Sequence, residues 1–231
     1  MKLGIFTDAH YSSAPMTCSR RYNNQSLRKI KEAYAYFADE GCDLIVCLGD
    51  LTDSEATIEQ EINNLANIAT VMHSTPIPTV CLMGNHDAYA FERDNFFDIL
   101  GIPPTDELHV QDRRLLFLDA CYSKDGTPYT PGRVDWKDTF FPDEDVLRQK
   151  LTDATEDTYV FVHQNIDPAA DPAHRIHNAD ALFAMIHQSG CVKTVFQGHY
   201  HPGCRSEYDG IGYITLPAMC ENEFAYWVFE L

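Results

Sequence analysis

The sequence is poor in positive charge: 17 Lys and Arg stand against 35 Asp and Glu in 231 residues, a formal net charge of −18. A broad nucleic-acid-binding face needs clustered cations against the phosphates, so long nucleic acid is a poor partner for this chain. A small phosphate ligand is not excluded, because cations held locally in a site can receive it. No apolar run approaches the ~20 residues that cross a bilayer. The opening MKLGIFTDAH passes from one Lys into a short apolar stretch that stops at Asp8, unlike a secretory leader. The expectation is a cytoplasmic protein with no membrane partner. Paired-cysteine motifs are missing as well: there are eight cysteines and no CxxC. Cys47 and Cys81 fall inside apolar runs, where a free thiol behaves as a small hydrophobe. Reduced, mostly buried thiols are expected, not disulfides or a zinc–thiolate site.

What the chain has is core: 45% of its residues are hydrophobic and 12% aromatic. Its length suits one α/β domain over residues 1–231. Leu3–Phe6, Leu44–Leu48, Pro78–Met83, Leu115–Leu118, Tyr159–Val162 and Val192–Phe196 read as strands. Gln25–Glu40 carries Ile30, Ala33, Tyr34 and Phe37 at helical spacing, and Gly41 follows as a stop. Ser54 is a candidate cap for a helix reaching Met72, with Ile58, Ile62, Leu65 and Ile68 on one face. Asp143–Leu151 and Asn178–Gln188 read as helices, and Gly212–Leu216 and Phe224–Phe229 as β-like. Residues 121–143 read as a long surface loop rich in Gly, Pro, Asp and Thr. A βαβαβ opening predicts a parallel or mixed sheet.

Five of these apolar runs end on residues that ligate metals or move protons. LGIFTDAH ends in Asp8 and His10, DLIVCLGD in Asp50, and PTVCLMGNHD in Asn85, His86 and Asp87. YVFVHQN ends in His163, and KTVFQGHYH in His199 and His201. Ligands of open α/β sheets bind beyond the carboxyl ends of strands, where such residues converge. Gly49, Gly84 and Gly198 precede them and let the backbone take φ > 0 or pass close to a bound group. Imidazole, carboxylate and amide oxygen without thiolate suit Mn, Fe or Zn. Asp8, His10, Asp50, Asn85, His163, His199 and His201 are too many ligands for one ion and fit two, with Asp50 central and able to bridge.

The ordered blocks D8-x-H10, G49-D50, G84-N85-H86-D87, H163 and G198-H199-x-H201 resemble the calcineurin-like metallophosphoesterase superfamily. The resemblance implies a four-layer α/β/β/α sandwich of two mixed sheets flanked by helices. It implies two divalent or trivalent ions (Mn, Fe or Zn): Asp8, His10 and His201 on one, Asn85, His163 and His199 on the other, Asp50 bridging. It gives His86 a catalytic role, contacting the substrate phosphate and protonating the leaving oxygen after attack by a metal-bridging hydroxide. Asp87 is then expected to orient that imidazole.

Taken singly, Asp8 reads as a turn residue, Asp50 as a helix cap, Asn85 as a turn and His163 as a buried histidine. As a set, five ordered coincidences are needed, and the bland readings fail. His73, His109, His174, His177 and His187 match no block, and His174 and His177 sit in a loop that can flank the site. Arg20, Arg21 and Tyr22 can reach a phosphate or a base, or simply lead into the first helix. RRYNNQSLRKIKEA resembles the manganese-dependent ADP-ribose/CDP-alcohol pyrophosphatases, which carry Gln where His10 stands. The D8-x-H10 start resembles the class III cyclic nucleotide phosphodiesterases. The expected substrate is a small, nucleotide-type phosphoester or pyrophosphate. A non-catalytic scaffold, a nuclease, a phosphomonoesterase and a protein phosphatase are the alternatives.

Overall fold

A strand that is apolar on both faces needs cover on both sides, and LIVC at 44–47 is buried at all four positions. The computed structural model describes residues 1–132, 141–152 and 154–231. In chain order the elements are β1 (Lys2–Phe6), α1 (Ser26–Asp39), β2 (Leu44–Cys47), α2 (Ile58–Met72), β3 (Thr79–Cys81), α3 (Asn85–Ala90) and α4 (Arg93–Leu100). There follow β4 (Glu107–Val110), β5 (Arg113–Leu118), α5 (Glu144–Leu151), β6 (Asp157–Val162), α6 (Ala179–Ser189), β7 (Val192–Gln197), β8 (Cys204–Tyr208), β9 (Ile211–Thr215) and β10 (Tyr226–Glu230).

Two mixed sheets form. The first runs β10–β1–β2–β3, with β10 antiparallel to β1 and the rest parallel. The second runs β4–β5–β6–β7–β9–β8, with a parallel centre and antiparallel edges β4 and β8. Side chains alternate faces along a strand, so Leu44 and Val46 of β2 enter one apolar cluster while Ile45 and Cys47 enter another. The first cluster lies between the sheets. Phe117, Phe161 and Phe196 stack across β5, β6 and β7 at 5.0 and 5.1 Å, and Phe196 meets Phe229 of the other sheet edge-on at 4.9 Å. The second cluster packs the outer faces against helices. The result is the expected α/β/β/α sandwich.

Helix α1 buries Ile30, Ala33, Tyr34 and Phe37, as its spacing predicts. It stops where Gly41 takes φ 67° and the Cys42 amide donates to the Phe37 carbonyl at 2.9 Å, a left-handed cap. The cap of α2 is Thr57, not Ser54. Asp53 already accepts from the Ser54 amide at 2.9 Å, and Glu61 from the Glu55 amide at 2.6 Å, so residues 53–55 are committed elsewhere. Ile58 and Ile62 are exposed, because the first turns of α2 project past the core that Leu65 and Ile68 enter. Of the loop expected at 121–143, residues 133–140 lie outside the described residues. No helix among the described residues is long and apolar enough to cross a membrane.

Candidate active site

The sequence candidates leave the carboxyl ends of β1, β2 and β3 in one sheet and of β6 and β7 in the other. Backbone bonds stitch these ends together. The Asp8 amide donates to the Gly49 carbonyl at 3.0 Å, His10 to Asp50 at 2.9 Å, and Gly198 to His163 at 2.9 Å. Asp8, His10, Asp50 and His199 take φ of 51°, 44°, 52° and 63°, left-handed conformations that non-glycine residues hold only when the surroundings dictate them. Gly84 and Gly198 serve by close approach: a Cβ on Gly84 would strike the Asp50 carboxylate, and one on Gly198 the Thr7 hydroxyl and Asp8 carboxylate.

Asp50 stands at the centre. Its Oδ1 accepts from the His86 amide at 2.8 Å, which leaves Oδ2 3.5 Å from His10 Nε2 and 3.2 Å from His163 Nε2. One group of atoms within 4.8 Å of each other comes from Asp50, His163 and His199, and another from His10, Asp50 and His86. On the His10 side, Asp8 Oδ1 lies 3.4 Å from His201 Nε2 and 3.7 Å from His10 Nε2, while the two Nε2 atoms are 3.2 Å apart. The Asp8 Oδ2 atom is anchored by the Thr7 hydroxyl at 2.6 Å and the His199 amide at 2.9 Å. The imidazole of His163 points Nδ1 at the Leu48 carbonyl at 2.9 Å, so Nδ1 keeps its proton and Nε2, facing Asp50, is the nitrogen that titrates.

Electrostatics follow from this crowding. Burial opposes the ionised form of Asp50, yet the His163 and His86 rings hold its carboxyl well below the usual range. Burial likewise opposes charge on His163, and the Asp50 and Asp8 carboxylates still push it up to about 9. Burial and the neighbouring His86 ring press His10 down to about 4.

The residues fit a pair of cations. Asp8 Oδ1 and Asn85 Oδ1 are buried oxygens with no hydrogen-bond partner among the described residues, a costly arrangement unless something else satisfies them. The oxygen and imidazole donors suit Mn, Fe or Zn; Cys220 Sγ also lies within 4.8 Å of the His10 and His201 nitrogens, but burial pushes that thiol up and keeps it protonated.

The structure assigns the carboxylate next to His86 differently from the sequence expectation. Asp87 Oδ1 accepts from the Leu51 and Thr52 amides at 3.0 and 3.1 Å, and Oδ2 from the Gly84 amide at 3.0 Å. These bonds pin the α3 start to the β2 end, because an acid at the third helical position reaches back to the cap amide. Asp53 meets the His86 ring instead, with its Oδ1 3.2 Å from Nδ1. The hydrogen bond from His86 holds the Asp53 carboxyl well below its usual range despite burial. Burial disfavours the His86 imidazolium, but Asp50 and Asp53 raise its pKa. The signal for Asp53 was its spacing, GDLTD, three residues after Asp50. Glu221, 2.5 Å from His201 Nδ1, had no such signal.

A cavity opens over these groups, lined by Arg20, Arg21, Asp50, His86, His174, His199 and His201. Arg21 reaches Asp53 and His10 Nδ1, each at 3.5 Å. Tyr22 is exposed, and its amide donates to the Cys220 carbonyl at 2.9 Å. His174 packs edge-on to His199, whereas His177 stacks on Phe141.

Fold and site define a metallophosphoesterase. The chain belongs to the calcineurin-like phosphoesterase family, which it matches over residues 1–203, and it is by that membership a metal-dependent phosphoesterase. It is 26% identical over 204 residues to a "probable cyclic nucleotide phosphodiesterase" of Psychrobacter arcticus, covering 80% of this chain and 68% of that one. It is 24% identical to a protein of the same description from Psychrobacter sp., covering 84% of this chain and 60% of that one. A dimetal phosphatase from Danio rerio has the same fold, with a TM-score of 0.82 and 19% identity over 98% of this chain and 91% of that one.

Proposed function

We propose that the chain hydrolyses a phosphodiester or pyrophosphate bond in a small, nucleotide-type molecule at a dinuclear metal centre. One observation carries the reading: a single oxygen, Asp50 Oδ2, faces His10 on one side and His163 on the other, and the buried Asp8 Oδ1 and Asn85 Oδ1 have no hydrogen-bond partner among the described residues. Asp8, His10 and His201 would hold one ion, Asn85, His163 and His199 the other, with Asp50 shared. Ions there supply Lewis acidity toward a phosphoryl oxygen and lower the pKa of bound water.

The chain's own groups do the rest. Asp53 accepts the Nδ1 proton of His86 and favours the imidazolium, so Nε2–H is the proton that His86 can give to the leaving oxygen. Arg20 and Arg21 put positive charge on the cavity wall of an otherwise acidic protein, suited to an anionic phosphoester. The names of the Psychrobacter relatives support a nucleotide substrate.

The test is p-nitrophenol release from bis(p-nitrophenyl) phosphate by chelator-stripped protein, with and without Mn²⁺, followed by cyclic AMP and ADP-ribose. Manganese-dependent turnover is expected, and His86→Ala abolishes it while the metal stays bound. Absence of turnover with Mn²⁺, Fe²⁺ and Zn²⁺ on diester and monoester probes alike would overturn the reading in favour of a scaffold.

A further inference from the structure

The segment after β9 returns to the site. The Met219 amide donates to the Thr7 carbonyl at 3.1 Å and the Cys220 amide to Asp8 at 3.0 Å. Buried Lys29 donates through Nζ to the Met219 and Asn222 carbonyls, both at 2.9 Å. This pinning sets Glu221 beside the metal ligands expected from β1 and β7. Its Oε1 lies 2.5 Å from His201 Nδ1 and 3.0 Å from Arg20 Nε. The side chains of Glu221 and His201 are 16% and 6% exposed, so water competes little for the bond. The family match ends at residue 203, so this contact comes from a part of the chain beyond it.

We propose that Glu221 is a positioning residue for the His201 half of the metal centre. By accepting Nδ1–H it fixes the tautomer in which Nε2 is the basic nitrogen, aimed at Asp8 Oδ1 and His10 Nε2. It also makes that nitrogen a stronger donor, the work a carboxylate does behind a ligating histidine. Arg20, which lines the cavity, neutralises the same oxygen and links it to the mouth of the site. The inference rests on the dinuclear reading and goes beyond it. It predicts that the ion held through His201 depends on Glu221 more than the other ion does, since Glu221 bonds His201 directly.

The experiment uses the full chain, stripped of metal and titrated with Mn²⁺, with free Mn²⁺ read by electron paramagnetic resonance. The parent, Glu221→Ala and Glu221→Gln are compared, along with the melting temperature of each stripped protein. The parent is expected to bind two ions. In Glu221→Ala one ion binds about 10–100-fold more weakly and the other as in the parent, with the stripped protein melting only a few degrees lower (~2–8 °C), the cost of one buried Nδ1–H left without its acceptor. Glu221→Gln, which keeps an acceptor oxygen, falls between. Parent-like binding of both ions by Glu221→Ala would overturn the proposal. So would equal weakening of both ions together with a larger fall in melting temperature, since that marks a purely structural contact. If the parent binds fewer than two ions, the dinuclear reading fails first and the inference falls with it.

Discussion

Replacing Asp87 by Ala separates two roles that its place in GNHD runs together. Three backbone amides, those of Leu51, Thr52 and Gly84, point at its carboxylate within 3.1 Å, and the side chain is fully buried. A buried donor left without its acceptor costs about 1–3 kcal/mol. With water entering part of the vacated volume, the three together predict a loss of about 3–5 kcal/mol. For a chain of this size each kcal/mol moves the melting temperature by about 2–4 °C, so a fall on the order of 10 °C is expected. Asp87→Asn keeps one accepting oxygen and turns an N–H₂ against one side of the amide cluster, so it should lose about half as much. The assay is thermal and urea unfolding of the metal-stripped protein beside turnover of the metal-loaded one. An Asp87→Asn protein that melts like the parent yet has lost turnover would refute the structural role and return Asp87 to the service of His86.

Other predictions follow from the same geometry. Asp53→Asn should lower kcat by about 10²-fold or more with a smaller change in KM, and should move the alkaline limb of the pH–rate profile to lower pH, because His86 must be protonated to give its proton and loses the carboxylate that raises its pKa; an unchanged profile would contradict this. Glu61 is pushed up to about 7, from 4.5, by burial and the charges of Glu55 and Asp53. Its contribution to stability is therefore fully present below about pH 4.5 and lost as the pH rises through about 7. Glu61→Gln should flatten urea-unfolding stability across that window and stabilise the protein at pH 8 by about 1–2 kcal/mol, a figure already reduced for solvent screening. Gly84→Ala forces its Cβ against Asp50 and should cost about 1–3 kcal/mol and about 10²-fold in turnover; parent-like activity would show that Asp50 tolerates displacement.

Much of this was legible in the residues. The five apolar runs that end on Asp, Asn and His became strand ends, because an apolar strand stops where polar groups take over. The two sheets and the flanking helices follow the expected sandwich. Other features depended on contacts that sequence spacing does not carry. The β4–β5 hairpin turns at Gln111–Asp112, with Gln111 at φ 58°, where no Asn-Gly or Asp-Gly pair announces it. The β8–β9 hairpin does turn on Asp209–Gly210, and its signal was there to be read. Ile58 and Ile62 keep the helical spacing of α2 but are exposed, since periodicity says which side they share and not how far the core extends. Asp53 lay within reach of sequence reasoning through its spacing from Asp50. Glu221 did not, because a long-range return of the chain brings it to His201.

The central claim is that Asp50 is shared by two cation positions. Its most direct test is metal content with Mn²⁺–Mn²⁺ spin coupling, measured by electron paramagnetic resonance on chelator-stripped, Mn²⁺-reloaded and desalted protein, in the parent and in Asp50→Asn. The account predicts about two ions per chain, magnetically coupled through the shared carboxylate, with the coupling lost in Asp50→Asn. A single ion in the parent, or two uncoupled ions that Asp50→Asn leaves in place, would contradict it.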